Sequence, residues 1–236
     1  MSLVIPAVLP SSRKDLEEKL ALLATVASLK RVQIDVVDGK FAPPISWPYN
    51  APSEFVCKDD CSAMLPHLDQ FEYEIDLMCL DAEAAAKTWL ALGATRLTLH
   101  AESTTDLERL IATVRGQYGA GITSVVSFGL ALNLASDLSL IEEHLADIDY
   151  VQLMGIAQIG KQGQPFDRRV LEKVRIFHSR HPLVLLQVDG GVSYEQAKEL
   201  VALGVSSVVV GSAILQAKDM SEAIAAFESL QTSFGV

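Results

Sequence analysis

The chain has 236 residues, half of them apolar, with few aromatics and a formal net charge of −11. That length supports one large core, and an acidic balance without a basic cluster argues against nucleic acid and anionic membranes as partners. No apolar run reaches membrane-spanning length, and the opening MSLVIPAVLP lacks the basic-then-apolar build of a secretion signal, so the expected setting is cytoplasmic.

Taken in chain order, apolar runs predict strands over 3–8, 31–37, 72–78, 96–100, 123–130, 150–154, 183–189 and 207–210. Each run is nearly continuous in apolar residues, as parallel strands covered on both faces require. Amphipathic segments lie between them. KDLEEKLALLATVASL follows Ser11-Ser12, which can cap it, and AEAAAKTWLALG ends at Gly93, a candidate C′ residue. DLERLIATVRG, DLSLIEEHLAD and DRRVLEKVRIFHS continue the alternation as helices. Ser193 to Gln196 reads as a capping box opening QAKELVALG, and MSEAIAAFESL closes the chain. Eight strands alternating with helices predict a closed (β/α)8 TIM barrel, with residues 1–236 forming a single domain. The competing open, doubly wound sheet requires a glycine-rich turn after its first strand, where this chain has LPSSR. The proline-rich stretch 42–52 reads as a loop at the barrel mouth. Trp47 and Trp89 read as packing residues, and His67, His144, His178 and His181 as surface residues. Cys57, Cys61 and Cys79 lack the spacing of a zinc site and read as free thiols.

The stretch QIDVVDGKF, residues 33–41, sets the chemical question, because a carboxylate within an apolar strand is costly unless something pairs with it or uses it. In a barrel, alternate residues face inward and the C-terminal strand ends carry the chemistry. Gln33 and Asp35 share one face of the second strand, and Glu72, Glu74 and Asp76 share one face of the third. His100 ends the fourth strand and Asp189 ends the seventh. Asp35 and Asp189 can therefore flank a small ligand from opposite sides. Opposed carboxylates suit removal of a proton from one face of a carbon and its return on the other, where an adjacent carbonyl acidifies that carbon. Gly190-Gly191-Val192 after the seventh strand and Gly211-Ser212-Ala213 after the eighth read as a phosphate cradle. Lys161, in the loop after the sixth strand, either adds a charge to that phosphate or is a solvated loop lysine.

Several of these pieces carry a resemblance: VIPAVL, IDVVDGKFAPPISW, DLMCLDAE, LTLHAES, GLALN, VQLMGI, GKQGQPF, VDGGV and VVGSAIL. Together they resemble the ribulose-phosphate 3-epimerase family over nearly the whole chain. The resemblance implies a TIM barrel of the ribulose-phosphate-binding type and an isomerase of pentose phosphate metabolism. Its substrate would be a phosphorylated ketose, ribulose 5-phosphate or a relative, inverted at C3 through an enediolate. It assigns Asp35 and Asp189 as the acid–base pair, and His100, Gly190, Gly191, Gly211 and Ser212 to substrate and phosphate. It also implies a divalent metal held by two histidines and the same two aspartates. This chain has Gln33 and Asp76 where those histidines stand, and Ala7 in place of a first-strand serine. The corresponding ligand set is Gln33, Asp35, Asp76 and Asp189, whose oxygen atoms suit Mg or Mn over Zn or Fe. The other version of the centre is metal-free, with one proton shared among repelling carboxylates. Barrels of this family commonly associate, so a homo-oligomer is an expectation. Two rivals stay open: a barrel that binds a phosphosugar without turning it over, and a related lyase or decarboxylase. The latter uses an Asp-x-Lys-x-x-Asp motif, and residues 35–40 here read DVVDGK, without the lysine two after the first aspartate.

Overall fold

A computed structural model describes residues 2–54, 64–118 and 126–234. Its centre is a closed barrel of parallel strands in the order β1 to β8, with β1 pairing both β2 and β8. The strands are β1 Val4–Val8, β2 Arg31–Val37, β3 Glu72–Met78, β4 Arg96–His100, β5 Ser127–Leu132, β6 Tyr150–Met154, β7 Leu185–Asp189 and β8 Ser207–Val210. Among the described residues no helix is long and apolar enough to cross a membrane.

The helices are α1 Arg13–Ala24, α2 Ala82–Ala91, α3 Leu107–Tyr118, α4 Ser139–Glu142, α5 Arg169–Arg180, α6 Tyr194–Ala202, α7 Ser212–Leu215 and α8 Met220–Phe234. The anticipated signals operate at their ends. The Ser12 side chain accepts the Asp15 N–H at 3.1 Å, capping α1. Gly93 follows α2 with φ of +102°, a left-handed conformation that suits glycine at C′. Ser193 and Gln196 form the capping box of α6.

Four expectations shift. The first strand begins at Val4 rather than residue 3, and β7 begins at Leu185, because Leu183 is 95% exposed. β5 runs to Leu132, two residues past the anticipated end, and residues 123–125 lie outside the described residues. DLSLIEEHLAD forms the single turn α4, started by the Asp137 carboxylate accepting the Ser139 N–H at 2.9 Å, followed by a separate 3-10 turn at Leu145–Asp147. Cys57 and Cys61 lie outside the described residues; Cys79 is buried and free, its thiol pushed up to about 12 by burial. The four peripheral histidines are half-buried.

Alternation along the strands divides the interior in two. Outward residues such as Ile34, Val36, Ile75, Leu77, Leu97 and Leu99 pack in one apolar cluster with helix residues including Leu20, Leu23, Trp89 and Leu110. Trp47 of the mouth loop meets Trp89 edge-on at 6.0 Å between ring centroids. The barrel lumen holds a buried polar layer: Gln33, Glu74, Thr98, Gln152 and Gln187 are at most 1% exposed. At its lower level Arg96 donates to Glu74 at 3.0 Å and lies 4.0 Å over the Tyr150 ring. The Tyr150 hydroxyl meets Thr98 Oγ1 at 2.7 Å. Gly129 makes room for that ring, since a Cβ there would sit 2.3 Å from it.

Candidate active site

β2 and β3 are in register from Arg31–Glu72 to Val37–Met78, so Gln33 lies beside Glu74 and Asp35 beside Asp76. β7 ends with Asp189 beside Met154 of β6 and Val209 of β8. Barrel closure then converges three carboxylates from three strands. Asp35, Asp76 and Asp189 each bring an oxygen within 4.8 Å of the others, a cluster of the kind that can hold a metal ion.

The Gln33 amide nitrogen stands between two of them, donating at 2.9 Å to Asp35 Oδ1 and at 2.9 Å to Asp189 Oδ2. Gln33 was expected to offer its oxygen to this centre; its N–H groups face the carboxylates instead. Asp76 is held from two other sides. Its Oδ1 lies 2.9 Å from His100 Nε2, and its Oδ2 accepts from Gln152 at 3.0 Å. Neither Asp35 nor Asp189 has a lysine or arginine partner among the described residues.

Burial, with no lysine or arginine beside the pair among the described residues, controls the electrostatics. It raises Asp35 to about 7, with the neighbouring Asp76 charge adding to the effect; the Gln33 and Gln162 amides oppose it. Asp189 is likewise raised well above the usual carboxylate range, by burial and then by Asp35 and Asp76. Burial alone would lower His100, but the adjoining Asp76 outweighs it and the imidazole is raised. Two aspartates that resist ionising together, at one small centre, are positioned to hold one proton between them near neutral pH.

Asp35 and Asp189 open onto a cavity of about 370 Å3 at the C-terminal end of the barrel. Its other walls include Gly190 and Gly191 after β7, Gly211 and Ser212 before and within α7, and Lys161 and Gln162 of the loop after β6. Lys161 is the one cation in the described lining. Gly191, at φ of +69°, is required twice over, since a Cβ there would also lie 2.6 Å from the Phe166 nitrogen. Gln162 reaches over from its loop and donates to the Ala7 carbonyl at 3.2 Å. His100 and Asp76 are fully buried behind this lining rather than part of it. His100 is therefore placed against Asp76, not against the cavity.

The sequence profile of the ribulose-phosphate 3 epimerase family matches residues 3–215. The chain belongs to this family. It is 30% identical over 203 residues to the ribulose-phosphate 3-epimerase of Aquifex aeolicus, covering 84% of this chain and 83% of that protein. Against the protein of that name from Helicobacter pylori it is 27% identical over 234 residues, covering 98% of both. Among solved structures it is similar to 3-keto-L-gulonate-6-phosphate decarboxylase from Vibrio cholerae, with TM-score 0.68 and 14% identity over 99% of this chain and 98% of that one. It is also similar to 3-hexulose-6-phosphate synthase from Salmonella typhimurium, with TM-score 0.66 and 16% identity over 98% and 99% of the two chains. At those identities the structural likeness speaks for the barrel. Gln33 and Asp76, the positions at which the resemblance implies histidines, fall at the centre itself.

Three glutamines escaped the reading of the sequence: Gln152, Gln162 and Gln187. Gln152 and Gln187 did leave a signal. Each interrupts an apolar strand at an inward position two residues before the strand ends. Gln162 sits in a loop, where no periodicity marks it.

Proposed function

We propose that this chain inverts C3 of a phosphorylated ketose, ribulose 5-phosphate or a related ketose phosphate, with Asp35 and Asp189 as the acid–base pair. The observation that carries the reading is that both aspartates line one cavity without a cationic partner, beside two glycine-rich turns. Ionised Asp35 takes the C3 proton, and the electrons of that C–H bond move into the adjacent carbonyl to form an enediolate. Protonated Asp189 then delivers its proton to the opposite face of C3 as the carbonyl re-forms. Gln162, which lines the cavity, is a side-chain donor available to the developing negative charge. The phosphate takes Gly190, Gly191, Gly211 and Ser212, with Lys161 supplying positive charge.

Taken alone, three carboxylates favour Mg or Mn over Zn or Fe. Their surroundings do not suit such an ion, because amide N–H groups occupy the oxygens that would ligate it. The reaction is therefore written on this chain's own groups. The lyase reading is weakened at residues 35–40, where Val37 and Lys40 stand at the motif's lysine and second aspartate; Asp38 between them accepts the Lys40 and Phe41 N–H groups with Oδ1 and that of Leu80 with Oδ2, each at 2.8 Å. That carboxylate ties β2 to β3 and is spent on structure.

The test is incubation with ketose phosphates in D2O, followed by NMR at C3. Deuterium wash-in with inversion is the expected result; binding without exchange would identify a barrel that holds phosphosugars and no longer turns them over.

A further inference from the structure

Gln33, Gln152 and Gln187, buried in the barrel, form a chain whose direction is fixed from below. Glu74 is paired with Arg96 at 3.0 Å and, as a carboxylate, can only accept. Gln187 must therefore turn its NH2 group to Glu74 Oε1, at 2.6 Å, and its oxygen to the Ser207 hydroxyl, at 3.0 Å. The same NH2 group donates to Gln152 Oε1 at 2.8 Å and lies 3.4 Å from Gln33 Oε1. With their oxygens so engaged, Gln152 and Gln33 have only N–H groups to present upward. Gln152 donates to Asp76, and lies 3.5 Å from Asp189 Oδ2; Gln33 donates to Asp35 and Asp189. Reversing Gln33 would face two NH2 groups at the 3.4 Å contact. Reversing Gln152 would require reversing Gln187, which sets an amide oxygen against the Glu74 carboxylate. Both reversals are penalised in a buried interior, where an unmatched polar group is costly.

We infer that this centre holds no divalent cation, and that the Gln33 amide is the group that excludes it. A cation needs lone pairs directed at it, whereas Gln33 directs two hydrogens between Asp35 and Asp189. The amide donors hold the carboxylates in place and offset part of their repulsion, and the Arg96–Glu74 pair at the barrel floor keeps those donors pointing the right way. The inference concerns the same aspartates as the epimerase reading, but its test uses no substrate, so each can fail alone.

The experiment is metal analysis of the purified full chain and titration with Mn2+ alone, followed by the electron paramagnetic resonance signal of the free ion. The wild-type protein is expected to carry less than stoichiometric metal and to leave the Mn2+ signal unchanged. Gln33→Glu, of equal length but with an acceptor in place of the donor, is expected to take up one Mn2+ per chain, with affinity raised by ~100-fold or more. One equivalent of bound metal in the wild type, lost in Asp76→Asn, overturns the inference. So does a folded Gln33→Glu protein, verified by circular dichroism, whose Mn2+ binding matches wild type. The wild-type measurement depends on no variant folding.

Discussion

Asp35 and Asp189 share one amide donor, and each serves one face of the cavity in the proposed reaction. Replacing either by asparagine removes an ionisable group while keeping its shape. Asp35→Asn and Asp189→Asn are each expected to lower inversion by about 10^3-fold, within the usual range for a lost acid or base. In each, the remaining aspartate still faces one epimer, so C3–H exchange in D2O should survive for that epimer alone. Loss of exchange from both epimers in both variants would contradict a two-base arrangement, and NMR separates these outcomes. The pH profile follows from the same pair. The forward rate needs ionised Asp35, so it should rise as pH passes about 7. It should fall again at higher pH, when the second proton leaves the pair. Initial rates across pH with a coupled assay would reveal a bell; a flat profile through neutrality would count against proton transfer by these groups.

At the scale of the elements, the loop after β6 and the lumen of the barrel do different work. Lys161 is exposed and lines the cavity with Gly190, Gly191 and Ser212, the end that the proposed reaction gives to the phosphate. Lys161→Ala is expected to raise KM by about tenfold with kcat little changed, as loss of uniform binding does. Equal KM values for the two proteins would return Lys161 to an ordinary loop lysine. Much of the barrel was legible because its signals are local: apolar runs of strand length, Ser12 and Ser193 at helix starts, Gly93 at a helix end. Asp35 and Asp189 were legible for a related reason, as polar residues at inward positions near strand ends. The amide chain was not. Its polarity depends on Glu74, Gln187, Gln152 and Gln33 meeting from four strands, and nothing in a single strand tells which end of an amide points where. The same limit hid His100, whose place behind Asp76 depends on side-chain packing across two strands.

For the whole molecule, raised acids act against stability as pH rises. Between about 3.8 and about 7, folded Asp35 keeps a proton that the unfolded chain has released. The folded state then binds more protons than the unfolded state, so stability falls as pH climbs through that window. Asp189 acts in the same direction. Asp35→Asn should therefore melt higher than wild type at pH 8, by roughly 5 °C, with little difference near pH 4. Calorimetry at the two pH values checks this, and a variant less stable at pH 8 would reverse the assignment. The Arg96–Glu74 pair is a separate liability. Arg96→Met strands a buried carboxylate and is expected to cost about 3–5 kcal/mol, measured by urea unfolding, whereas adding Glu74→Met should recover most of that loss. Beside that pair, the Tyr150 ring packs against the Arg96 guanidinium in the space Gly129 leaves for it. Ring and ion pair thus cork the vessel at its base, Tyr150 being 1% exposed, and Asp35 and Asp189 meet solvent at the cavity mouth. In the proposed reaction the isotope drawn from the carbon stays on one carboxyl while the other gives up a hydrogen of its own, so label in the epimerised sugar should come from bulk water and not from the starting one.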